Sequence, residues 1–206
     1  MSFEENKISL GQNNIEIQNL NPFEVFNISL KMWVIFMIGH FTIGFYIMYK
    51  DLNGSWDKYR LSNDNNKKEK NKNKLHKYSL CISYLIRDFL IIMPIFLYLY
   101  VYYTSDFITK NLDSYNLLIE IFIKIPLGYL IECIWDYFLH RAWHQIPYLY
   151  KYVHKAHHIT EDEMCSLSAW RDSLSEFILE IPGTFLIGPF IMRMNWISHS
   201  IMLFKT

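Results

Sequence analysis

The run from Trp33 to Tyr49 contains no charged residue, and extending it back to Ile28 crosses only Lys31. That is close to the roughly 20 apolar residues a helix needs to cross the hydrocarbon core of a bilayer. Lys31 fits at its margin, because the long aliphatic stem lets the ammonium reach the interface. Phe89 to Tyr103 is a second uncharged run, and it reaches spanning length when Leu80 to Ile86 joins it, with Arg87 and Asp88 between them. Leu117 to Leu139 predicts a third span, in which Glu120 and Lys124 stand four apart and meet on one helix face. Phe177 to Met192, interrupted by Pro182, Gly183, Gly188 and Pro189, reads with Met194 to Phe204 as a membrane hairpin or re-entrant pair. The expected fold is all-α, a multi-pass transmembrane helical bundle over residues 28–206 behind a polar N-terminal segment, residues 1–27.

Charge patterning orients this bundle. Lys50, Lys58, Arg60, Lys67, Lys68, Lys70, Lys72, Lys74 and Lys77 outweigh Asp51, Asp57, Asp64 and Glu69, so the positive-inside rule puts the loop after the first span in the cytosol. The N-terminus and Thr104 to Asn116 then fall on the lumenal side, and the region after His140 returns to the cytosol. Within the loop, Asn63 to Lys74 lacks apolar residues, so residues 58–77 are expected to be disordered; contact with a lipid surface is the functional alternative. Met1 to Asn27 has no basic stretch leading into an apolar core, which argues against a cleaved signal peptide. Basic and acidic residues balance at 20 each, so nothing draws the chain to nucleic acid. Cys81, Cys133 and Cys165 form no CxxC pair and read as small apolar fillers.

Histidine placement carries the chemistry. His140 and His144, in HRAWH, lie one helical turn apart at the end of the third apolar run, and His154, His157 and His158, in HKAHH, repeat the spacing at i, i+3 and i+4. Five of the eight histidines thus fall between His140 and His158, beside a membrane span. One HxxxH alone is an ordinary surface feature of an amphipathic helix; the two together point to a metal. Imidazole suits iron, zinc, copper or nickel, and the near-absence of thiolates disfavours iron–sulfur clusters and zinc fingers. His76 is expected to be solvated, His40 to find a polar partner in its span, and His199 to be a further candidate ligand within the membrane. Arg141 and Lys155 are expected to touch headgroups or carboxylates. The abundant aromatic residues suit interfacial anchoring or a lipid-binding cavity.

The stretch WDYFLHRAWH (Trp135 to His144) followed by YKYVHKAHH (Tyr150 to His158) resembles the membrane fatty acid hydroxylase and sterol desaturase superfamily, with wording most like the C4-methyl sterol oxidases. Thr160 to Ser173, TEDEMCSLSAWRDS, is similar to the alkylglycerol monooxygenase branch. The resemblance implies a di-iron centre with His140, His144, His154, His157 and His158 as iron ligands. It also implies an oxygen-using oxidoreductase of lipid biosynthesis in the endoplasmic reticulum membrane. Such an enzyme hydroxylates or desaturates a sterol, fatty acyl or related lipid, with electrons from cytochrome b5 and its reductase. Two departures stand out. Cys133 occupies a position where the family has an acidic residue, leaving Asp136, one turn before His140, as a candidate for orienting a ligand. The family's last HxxHH motif does not occur before Thr206, so the expectation is a chain truncated before that motif. The alternative is a non-catalytic paralogue with a partial metal site.

Overall fold

The computed structural model describes residues 20–56, 76, 78–108, 117–158, 165, 167–168 and 171–203, and every regular element among them is helical. Most of the polar N-terminal segment and the low-complexity basic loop lie outside the described residues.

Helix α1 spans Pro22–Leu52 and starts at Pro22 rather than Ile28 because a capping box reaches further than the apolar run. Asn21 accepts from the backbone N–H of Glu24, the Glu24 carboxylate accepts from the N–H of Asn21, and Pro22 needs no amide partner. The helix ends at Asn53, where Gly54 takes φ 74° and turns the chain. Helix α2, Tyr78–Tyr103, contains a wide π-helical stretch at Ile86–Ile92. Trp33 of α1 donates its indole N–H to the Phe89 carbonyl in that stretch at 2.7 Å, so a polar bond crosses an otherwise apolar contact. Around it Met32, Phe36, Phe89, Met93, Leu97 and Val101 are fully buried, with Phe36 edge-on to Phe89.

Helix α3 covers residues 117–145 and includes Ile125–Gln145. Helix α4 covers residues 147–158, α5 Leu174–Ile191 and α6 Trp196–Met202. Three described helices, α1, α2 and α5, are long and apolar enough to cross a membrane. The third expected span, Leu117–Leu139, is helical throughout within α3 but is not among these three, because Glu120, Lys124, Glu132 and Asp136 interrupt its apolar sequence. Lys124 answers Glu120 at 2.6 Å and also donates to the Arg193 carbonyl in the turn between α5 and α6. The expected hairpin is also modified, since α5 runs on through Pro182 by widening to a π turn at Pro182–Leu186. The chain reverses only at Met192 and Arg193, the latter with φ 48°, before Asn195 caps α6.

Three contacts lock α3 against α5. A methyl group built on Gly188 would come within 2.4 Å of the Gly128 carbonyl oxygen, so backbone meets backbone there, as small residues allow in membrane helices. Nearer the histidine end, Thr184 donates to Asp136 at 2.7 Å, and the Trp135 indole lies directly over Gly183. Many large apolar side chains of α3, among them Leu118, Phe122, Leu130 and Phe138, remain more than half exposed, a surface suited to hydrocarbon rather than water. The molecule is a multi-pass helical membrane protein.

Candidate metal centre

The site begins where α3 stops. Ile146 precedes Pro147, and its extended backbone (φ −99°, ψ 108°) ends the helix directly after His144 and Gln145. Pro147 opens α4 at its first position, and α4 folds back so that its second turn faces the last turn of α3.

Four rings meet there. The Nε2 atom of His144 lies 3.1 Å from that of His140, 3.1 Å from that of His154 and 3.3 Å from that of His158, while His154 and His158 are 2.8 Å apart. Donors held about 2.0–2.1 Å from one tetrahedral ion stand roughly 3.4 Å apart. Four imidazole nitrogens at these spacings cannot all satisfy one another with protons, whereas a single cation between them accepts every lone pair. The donor set therefore fits a metal, and its chemistry suits iron, zinc, copper or nickel alike. His140 and His144 are exposed, so the cluster opens on that side, while His154 is fully buried.

Carboxylates set the ring orientations. Nδ1–H of His154 donates to Oε1 of Glu176 at 2.5 Å, both side chains being almost wholly buried, which leaves Nε2 as the lone-pair nitrogen facing the other rings. Burial, together with the neighbouring histidines, pushes His154 down to about 3, so the ring is neutral and ready to ligate. Trp143 stacks on it at 5.3 Å and walls off its inner face.

Glu176 is itself fixed by the start of α5. Its backbone N–H donates to Ser173 Oγ, and its Oε2 accepts from the Ser173 N–H at 3.4 Å, a capping box. Ser173 Oγ also donates to the Val153 carbonyl at 2.6 Å, tying the cap of α5 to α4.

The tetrad separates one expected ligand from the rest. Standing one residue before His158 and so turned away from its face, His157 pairs its Nδ1 with Asp172 Oδ1 at 3.0 Å. The Asp172 carboxylate holds His157 above the usual imidazole range. His157, Asp172 and Glu176 form a second group of donors, lying within 4.8 Å of one another. Sequence reasoning missed Asp172, Glu176 and Trp143; the Ser-x-x-Glu capping signal at Ser173 to Glu176 marked the helix start but not the second use of its carboxylate. Asp136 serves Thr184 rather than a histidine. His199 is buried in α6 and donates Nε2–H to the Phe185 carbonyl, outside the tetrad, and His40 packs among Phe36 and Phe89 in α1.

No curated protein and no solved structure matches the chain. Residues 125–206, which contain all four rings of the tetrad and both carboxylates, match the family model described as fatty acid hydroxylase.

Proposed function

We propose that this protein is an iron-dependent, oxygen-using lipid oxidoreductase that hydroxylates or desaturates a sterol, fatty acyl or related lipid. The observation that carries this reading is the convergence of four Nε2 atoms in the region matching the fatty acid hydroxylase model. One iron is assigned to His140, His144, His154 and His158, and the His157, Asp172 and Glu176 group offers mixed nitrogen and oxygen donors for a second. Bound iron supplies the oxidation of an unactivated C–H bond by dioxygen, with electrons from a partner such as cytochrome b5 and its reductase. The chain's own part is positional. Glu176 holds His154 in one tautomer, Trp143 excludes water behind it, and the exposed side at His140 and His144 leaves an approach. An apolar groove of about 250 Å³ between α2, α3 and α5, lined by Tyr100, Trp135, Pro182, Leu186, Ile187 and Phe190, suits a hydrocarbon chain. Trp135 precedes His140 by five residues, about 7.5 Å along the helix. The reading places the tetrad at the cytosolic face of the endoplasmic reticulum membrane, following the basic loop.

The test is oxygen-dependent conversion of a panel of sterols, acyl lipids and ether lipids in membranes supplied with cytochrome b5 and its reductase. Conversion that disappears in His154→Ala supports the proposal. Iron binding without turnover of any lipid class would favour the non-catalytic alternative instead.

A further inference from the structure

The two cysteines read from sequence as apolar fillers lie side by side. Cys81 of α2 and Cys165, in the segment between α4 and α5, have their sulfurs 3.7 Å apart, and both are free thiols. They begin a seam along one side of α2. Three residues on, Tyr84 lies under the Arg171 guanidinium at 5.9 Å; three further, Arg87 donates to the Asp172 carbonyl at 2.8 Å. The same segment ends in Asp172, the partner of His157, and in Ser173, the cap of α5.

We infer that Cys81 and Cys165 form an oxidisable dithiol, a modification site at which a peroxide-class oxidant closes a disulfide that fastens the Asp172 segment to α2. The two sulfurs have unequal roles. Cys165 is partly exposed and held in place by Ser168, whose hydroxyl accepts from the Cys165 backbone N–H and donates to its sulfur. Hydrogen bonds from Cys81 and Ser168 draw the Cys165 thiol below its usual range, which favours the thiolate there. Cys81 is 2% exposed, so Cys165 is the sulfur that faces solvent species first. The Cys165 thiolate attacks the peroxide, forming an S–O bond as the O–O bond breaks, and the departing hydroxide takes a proton to leave as water. The Cys81 thiol then attacks that sulfenic acid, forming the S–S bond and releasing a second water. Overall two thiols lose two electrons and two protons while one hydrogen peroxide becomes two waters. Closure needs the sulfurs to move from 3.7 Å to about 2.05 Å. Cys133, exposed on α3, is the internal control.

The experiment treats the purified full chain in lipid nanodiscs with one equivalent of hydrogen peroxide, followed by thiol counting and peptide mapping without reductant. The expected result is a fall from three free thiols to one, a Cys81–Cys165 linked peptide, and a raised thermal midpoint that dithiothreitol reverses. Cys81→Ser should leave Cys165 as a sulfenic acid trapped by a dimedone probe, and Cys165→Ser should leave Cys81 reduced. A linked peptide containing Cys133, no linked peptide at all, or oxidation of Cys81 in the Cys165→Ser protein overturns the assignment.

Discussion

Replacing Glu176 by glutamine isolates the role of one buried carboxyl group beside the tetrad. The carboxylate accepts from His154 Nδ1 at 2.5 Å, and His154 Nε2 contacts both His144 and His158, so this ring is the innermost of the four. Glutamine keeps the size of the side chain and can still complete the capping box with Ser173, so α5 should form normally. Burial pushes Glu176 up to about 8 in the metal-free chain, and glutamine loses the negative charge this carboxyl can supply when a cation binds beside it; its amide can also present either oxygen or nitrogen to the ring. Removing an orienting partner of this kind lowers metal affinity about 10- to 100-fold, which is roughly 1.4–2.7 kcal/mol at about 1.36 kcal/mol per decade. The assay is competition with a chromogenic chelator in detergent micelles, with helical circular dichroism as the check on folding. Glu176→Ala should show the same loss of affinity together with a lower thermal midpoint from the broken cap. If Glu176→Gln retains metal as tightly as the parent, the carboxylate is a helix cap and nothing more, and the orientation argument fails.

Three other perturbations separate the parts of the site and fold. His157→Ala and Asp172→Asn should each lower metal bound at the tetrad less than His154→Ala does, measured by metal content after gel filtration; an equal loss would place His157 among the four. Gly188→Ala should destabilise the bundle by about 1–3 kcal/mol, because its methyl group meets the Gly128 carbonyl, whereas Gly44→Ala meets only a Leu167 methyl at 3.3 Å and should be mild. Thermal midpoints in detergent report the difference, and equal midpoints would contradict the close α3–α5 contact. Finally, the metal-free protein should lose stability as pH falls from about 4.5 towards 3. His154 sits at about 3 in the folded chain, so over this window the unfolded state binds a proton that the folded state does not. His157, raised by Asp172, is protonated in both states there; above about 4.5, Glu176, which burial pushes up to about 8, is protonated in the folded state alone and offsets His154. A midpoint that stays level or rises on acidification would count against a neutral, buried His154.

The first two membrane helices and the histidine pairs were legible in the sequence because each rests on a short-range pattern. An uncharged run needs no knowledge of its neighbours, and i,i+4 spacing puts two rings on one face whatever the helix packs against. What was not legible depends on contacts between segments. The separation of His157 from the tetrad follows from a bond to Asp172, and Asp172 and Glu176 acquire meaning only once α5 docks against α4. The partners of the α3 charges also depend on packing: Glu120 meets Lys124 within the helix, whereas Glu132 and Asp136 face α5. Cys81 and Cys165 are separated by 84 residues, and no local pattern brings them together.

The dependence of His154 on the first turn of α5 imposes an order on biosynthesis. The four imidazoles occur within the 19 residues from His140 to His158, so a growing chain presents all of them before Glu176 has been added and before the next membrane helix has entered the bilayer. Until that helix inserts and its cap docks, His154 has nothing to fix its tautomer, and the nascent polypeptide holds metal at the weakened strength of the glutamine variant. Full-strength capture would thereby be timed to membrane integration, and a translation product whose α5 has failed to insert would give its metal back.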